Sequence, residues 1–149
     1  MTIRRACKAD EESIRACAED AYEKYISAIG KKPAPMIADF GLQISEGIVH
    51  VAENLRGEVD GFIVFFPRKD HMFLENVAVK GSAVGRGVGK RLMAFCEAEA
   101  RRLDLGSIRL YTNEKMTENL AIYPHLGFSE TDRREEEGFR RVFFEKVLE

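Results

Sequence analysis

The residues whose types and spacing could do chemistry begin with Val84-Gly85-Arg86-Gly87-Val88-Gly89-Lys90. This stretch follows the apolar run Phe73–Val79 and opens a helical pattern that reaches about Leu103. Glycines at alternate positions leave main-chain N–H groups uncovered, so an anion can come close. A helix N-terminus adds unpaired donors and a positive dipole end, which suit a phosphate or pyrophosphate. Two familiar phosphate loops are excluded by spacing. A Walker loop needs Ser or Thr after its lysine and a glycine five before its last one, but Arg91 follows Lys90 and Val84 holds the glycine's place. A dinucleotide fingerprint needs G-x-G-x-x-G after the first strand of a βαβ unit, whereas the spacing here is G-x-G-x-G. A turn that merely caps a helix is the plainer alternative.

The elements that must position this loop follow from periodicity. Thr2–Arg5 reads as a short strand. From Asp10 to about Ile29 apolar residues recur at helical spacing, with Asp10 as the cap and Gly30 as the stop. Lys31–Pro35 is a loop, and a second helix is expected over Met36–Ser45. The period then shortens to two: Ile48–Glu53, Glu58–Phe66 and Met72–Val79 read as consecutive strands. A helix over Gly87–Leu103 presents Val88, Leu92, Phe95, Cys96, Glu99 and Leu103 inward. Ser107–Thr112 is a strand and Glu118–Tyr123 a short helix. Phe128–Asp132 and Phe139–Leu148 are strands turning near Glu137-Gly138, and the charge run Arg133–Glu137 reads as a solvated turn. The expected fold is α/β (α+β) in one domain over residues 1–149, a mixed, mostly antiparallel sheet of about six or seven strands with about four helices, in the order β-α-α-β-β-β-α-β-α-β-β.

Composition narrows the function classes. Apolar residues make up 45% of the 149, enough for one core. The net charge of -2 gives no basic excess for nucleic acid. No apolar run approaches the roughly 20 residues of a membrane helix, and the first residues lack an apolar signal core. Cys7, Cys17 and Cys96 are odd in number and include no CxxC pair, so reduced thiols in a cytoplasmic protein are expected, with no metal. Cys96 reads as packing, His50 as a strand residue and His71 as a turn residue.

The order of elements, the strand Leu74-Glu75-Asn76-Val77-Ala78-Val79 and the loop VGRGVGKRL together resemble the GNAT superfamily of N-acetyltransferases. The family's hallmark Q/R-x-x-G-x-G/A falls on Val84–Gly89. A second hallmark, a Tyr four residues before Gly-Phe, falls on Tyr123 with Gly127-Phe128. Two positions depart from the pattern. Val84 replaces the usual Gln or Arg, and Met116 stands where an Asn is common, with Asn119 one helical turn before Tyr123.

The resemblance implies acetyl-CoA or a close acyl-CoA as co-substrate. Gly85, Arg86, Gly87, Val88 and Gly89 would cradle the diphosphate, with Val84 and Lys90 beside them. The main chain of Val77, Ala78 and Val79 would pair with the pantetheine arm, and Asn119 would reach the cofactor. The strand neighbouring Leu74–Val79 would be Ser107–Thr112, splayed from it. The reaction implied is direct acyl transfer to a primary amine on a small molecule or a peptide. Glu75 is the candidate base, alone or through water, its alternative being a surface carboxylate. Tyr123 is the candidate acid for the departing thiolate. The first two helices and the loop Gly30–Met36 would choose the acceptor. C-terminal aromatics could line a homodimer seam. A non-catalytic acyl-CoA sensor with the same fold and a nucleotide-binding regulatory domain are the competing readings.

Overall fold

The computed structural model describes residues 1–149. The period-two stretches form β1 (Thr2–Arg5), β2 (Val49–Glu53), β3 (Val59–Pro67), β4 (Met72–Val79), β5 (Ser107–Asn113), β6 (Ser129–Glu136) and β7 (Phe139–Val147). They make one sheet in the order β1-β2-β3-β4-β5-β7-β6. Every pairing is antiparallel except β4 with β5, which are parallel and touch only at Met72↔Ile108 and Phe73↔Arg109. The helices are α1 (Glu11–Tyr22), α2 (Ile26–Ile29), α3 (Phe40–Ser45), α4 (Val88–Arg102) and α5 (Thr117–His125). No helix is long and apolar enough to cross a membrane.

The sheet buries apolar side chains on both faces, as a layered α/β arrangement requires. One core cluster joins Ile63, Met72, Leu74, Ile108, Leu110, Val142 and Phe144 to Val88, Leu92, Cys96 and Ala100 of α4. The other joins Val49, Val51, Phe62 and Val64 to Ile14, Cys17, Ala18 and Tyr22 of α1 and to Phe40 of α3. Helix α4 comes close to the sheet at Gly61, where an added Cβ would stand 2.8 Å from the Ala78 carbonyl and 3.2 Å from Val88. Only a residue without a side chain allows this approach.

Several elements differ from the periodicity reading. The helix expected from Asp10 to Ile29 is broken by a 3-10 turn at Glu23–Tyr25. Three residues per turn bring Tyr22 and Tyr25 to one side, and both are buried. Asp10 does not cap α1. Its carboxylate turns back to accept from Arg4 Nη1 and Nη2 at 2.8 and 2.9 Å and from the Cys7 N–H at 2.8 Å. The helix expected over Met36–Ser45 is shortened to α3, because Asp39 caps it by accepting from the Leu42 N–H at 3.1 Å. Ala34–Met36 forms a separate 3-10 turn.

The inner line of α4 is Val88, Leu92, Cys96 and Ala100, not Glu99 and Leu103. Leu103 is exposed, and Glu99 pairs with Arg102 at 2.8 Å. The run Arg133–Glu136 is strand, not turn, and continues β6 along β7. Its side chains leave for water, so charge is no obstacle to a main-chain ladder. Arg134 pairs along the strand with Asp132 at 2.8 Å and Glu136 at 3.0 Å. Phe128 falls outside β6 and is buried.

The Arg4–Asp10 pair ties β1 to the entry of α1, and Arg4 also donates to Glu53 of β2 at 2.9 Å. The guanidinium holds the Asp10 carboxyl down to about 2, against an ordinary 3.8. A carboxyl lowered in the folded state contributes stability that is complete above about pH 4 and is lost as pH falls toward 2. Asp10→Asn should therefore lower stability by about 1–2 kcal/mol at neutral pH. It should also flatten the fall in melting temperature between pH 5 and 2, measured by thermal denaturation of both proteins.

Candidate functional site

The site is built around the divergence of β4 from β5. Beyond Phe73, β4 has no partner on its β5 side. Register on the other side adds a bulge. Val64 pairs with Asn76 and Phe65 with Leu74, so Glu75 has no residue opposite. A bulge re-aims side chains and bends the strand. Leu74 keeps to the α4 core, whereas Glu75 reaches Gln43 of α3 and Asn76 reaches Tyr22 of α1.

Two cavities meet at this divergence. The first, about 440 Å³, lies between the glycine loop and α5. Val77, Ala78 and Val79 of β4, Val84, Gly85, Gly87, Val88, Gly89 and Lys90 line it, with Met93, Ile122 and Leu126. Arg86 lies in the loop but not on its wall. Gly85 and Gly87 hold φ of +87° and +79°, and an added Cβ at either would meet open space. The N–H groups of Gly85, Arg86, Gly87, Val88, Gly89 and Lys90 donate to no main-chain acceptor. That of Val84 is committed to the Gly81 carbonyl at 3.4 Å. Consecutive free amides at the mouth of a fifteen-residue helix make an anion nest. The loop thus fits a diphosphate with main-chain donors, and Lys90 adds a cation where Val84 offers no polar side chain.

The second cavity, about 300 Å³, lies on the other side of the divergence. Leu74, Glu75 and Asn76 of β4 face Leu110, Tyr111 and Thr112 of β5 across it. Tyr22, Val77, Asn119 and Tyr123 line both cavities and so stand at their junction.

Glu75 is half-buried. Burial raises its carboxyl above the ordinary range, while the Gln43 amide donating to it and Arg68 nearby act the other way. The Gln43 Oε1 atom is buried without a partner. Tyr123 packs its ring against Phe128 and Phe144, with centroids 5.6 Å away from each. Burial pushes its phenol up to about 12, so the hydroxyl stays protonated at any neutral pH. Asn119 shares its side of α5, and its amide donates to Thr112 Oγ1 at 3.1 Å and to Met116 Sδ at 3.6 Å. Met116 itself is buried in the α1 core. Tyr22 Oη lies 2.7 Å from Asn76 Oδ1 and 2.8 Å from the Val77 carbonyl.

The structure thus brings Glu75, Val77, Asn119, Tyr123 and the glycine loop around one divergence. It adds residues that periodicity did not single out as site residues: Gln43, Tyr111 and Arg141. Arg141 had a legible signal, being a charge at a position of β7 that shares its face with Phe139 and Phe143. Asp39 serves as the cap of α3. Cys17 and Cys96 are buried and their thiols are pushed up to about 12. Neither lines either cavity. No group of three or more His, Cys, Asp or Glu is placed to hold a metal ion.

Comparison with known proteins agrees with this geometry. The family model described as "Acetyltransferase (GNAT) domain" matches residues 45–130. No curated protein sequence matches the chain. Among solved structures, PaiA N-acetyltransferase from Thermoplasma acidophilum in complex with coenzyme A is similar with a TM-score of 0.80 at 15% identity, over 99% of this chain and 98% of that one. Ribosomal-protein-alanine N-acetyltransferase from Brucella melitensis gives 0.73 at 23% identity, over 99% and 100%. Ard1 from Thermoplasma volcanium gives 0.77 at 21%, over 99% and 97%. At these identities the likeness is one of fold. The family match spans the glycine loop, both cavity-lining strands and Tyr123, and this chain belongs to the GNAT acetyltransferase family.

Proposed function

We propose that the chain is an N-acetyltransferase that moves an acetyl group from acetyl-CoA to a primary amine by direct attack, both substrates being held together. The observation that carries this reading is the continuity of the two cavities. An anion nest of free amides opens one, a half-buried carboxylate lies in the other, and a protonated tyrosine stands where they meet.

The amides of Gly85 to Lys90 hold the diphosphate, and Lys90 supplements them. The free edge of β4 at Val77–Val79 pairs with the amide-bearing arm, as an added strand would. An N–H of this segment also steadies negative charge on the carbonyl oxygen during attack. Glu75, directly or through one water, takes the proton that an ammonium must lose before its nitrogen can attack. A carboxyl raised by burial is the better base near neutral pH. Tyr123 donates to the departing sulfur. Burial raises the phenol to about 12, and it raises a thiolate departing into the same site as well, so the proton can follow the sulfur. Tyr123 therefore gives its proton to the sulfur as the C–S bond breaks, and solvent reprotonates the phenol as product leaves. Glu75 and Tyr123 on adjoining cavities weigh against a binding-only module.

Thermal shift, variant kinetics and a pH profile test the proposal. Coenzyme A should raise the melting temperature of the wild type, and ATP or NAD should not. Gly87→Glu places an anion in the nest and should abolish the rise, read by thermal shift. Glu75→Gln should lower kcat by about 10²–10⁴-fold in a thiol-release assay. In the wild type, activity should fall as pH drops through the raised Glu75 pKa, since the base is lost when protonated. Tyr123→Phe should lower kcat by roughly tenfold or more while leaving the coenzyme A affinity within a few-fold. Normal turnover in Tyr123→Phe would remove the residue from the mechanism.

A further inference from the structure

The second cavity carries a feature that acyl transfer alone does not require. Arg141 of β7 lines it, yet only 7% of the residue is exposed. Its guanidinium lies 4.2 Å from the centroid of the Tyr111 ring. Its acidic partners come from the end of β6 and the turn that follows: Glu136 accepts from Nη1 at 3.1 Å and Glu137 from Nη2 at 3.4 Å. The second contact is long, and the Glu137 side chain is 80% exposed on a backbone with φ of +53°. The Nε–H has no acceptor in the chain. A guanidinium carries five donors in a planar fork that matches a carboxylate in two-point fashion. A mostly buried cation that lines a cavity with its Nε–H uncommitted can take an anion that arrives with the ligand.

Glu75 lies across the same cavity. Tyr111 lines the same cavity with its ring against the Arg141 guanidinium, and burial raises its phenol. The cavity therefore has a carboxylate at the β4 end and a guanidinium at the β7 end. Its outer walls are joined. Lys31 donates from Nζ to the Gly138 carbonyl at 2.9 Å and sits 4.2 Å from the Phe139 ring centroid. This ties the loop before α3 to the β6–β7 turn, and the cavity of about 300 Å³ is of a size that suits a small ligand.

Building on the transfer reading, we infer that the acceptor is a small zwitterionic amine, an α-amino acid in the simplest case. Its ammonium faces Glu75, and its carboxylate displaces Glu137 from Arg141. Arg141 is then a specificity-determining residue. It takes no part in bond making: the amine nitrogen forms the new C–N bond, the C–S bond breaks, and the nitrogen's proton leaves by Glu75.

The test compares common L-amino acids with their carboxamides, which keep the amine and side chain and lose the anion. Binding is read by calorimetry on the coenzyme A-saturated protein, and turnover by thiol release with acetyl-CoA. At least one acid should exceed its amide by about 10- to 100-fold in affinity and in kcat/KM. Arg141→Met, which keeps apolar bulk, should collapse that ratio to near one. Because this variant also loses two ion pairs, Glu137→Gln gives an independent arm. It removes the competing internal anion from an exposed position and should tighten acid binding by several-fold. An acid-over-amide ratio near one in the wild type, a ratio that survives Arg141→Met, or a free-amine peptide preferred over every acid would each overturn the inference. The transfer reading fails separately. Selective acid binding without thiol release keeps Arg141 as the carboxylate-recognising residue of this cavity and removes the proposed activity. Release with acids and amides alike does the reverse.

Discussion

Two main-chain pairings, Met72 with Ile108 and Phe73 with Arg109, are all that join the halves of the sheet. Everything chemical in the molecule depends on the strands parting immediately afterwards. A sheet that stayed zipped would spend the inner edge of β4 on β5 and close both cavities. The parting leaves unspent hydrogen-bonding capacity in the middle of the protein, where such capacity is ordinarily satisfied. The bulge at Glu75 falls one residue after Leu74, the first position beyond the last pairing. It delivers an acid and an amide to the α1–α3 side while the following valines line the opening. Divergence and bulge are thus one device: the first makes space and the second furnishes it.

The two layers of helices support this device unequally. Helix α4 is pinned to the sheet through Gly61 and a four-residue ladder of small and medium side chains, so the mouth of the glycine loop is rigidly placed relative to β4. The α1–α3 side holds the divergence through polar links. Tyr22 bonds at Asn76 and Val77, Gln43 donates to Glu75, and the Asn76 amide donates to the Pro35 carbonyl at 2.9 Å. Buried polar links of this kind fix geometry more than they add stability. They suit a wall that must present particular atoms.

Much of this was legible in residue order. The glycine loop, the Tyr123 motif and the period change after Gly47 each have a local cause, and local causes survive translation into three dimensions. Elsewhere tertiary contacts override local preference. Asp10 looks like a cap until Arg4 claims its carboxylate. Arg133–Glu136 look like a turn until β7 offers them a ladder. Glu99 and Leu103 join an inward stripe only by a three-residue step after Cys96, whereas the buried line keeps four-residue steps from Val88 to Ala100. Gln43, and the partner of Arg141 though not its unusual position, were hidden for another reason. Each gains its meaning from a partner 32 residues away along the chain for Gln43 and from the Tyr111 ring for Arg141, and no spacing rule links those pairs.

The outermost strands have a consequence of their own. At one border β1 is only four residues long and carries Arg4 and Arg5; at the other, β6 is exposed and charged almost throughout. Strand borders that are short or ionic resist templating by a neighbouring molecule. Copies of this chain crowded together, or emerging side by side during synthesis, are thereby discouraged from knitting into fibrils. The charges that looked like an idle surface run act as a guard against polymer growth.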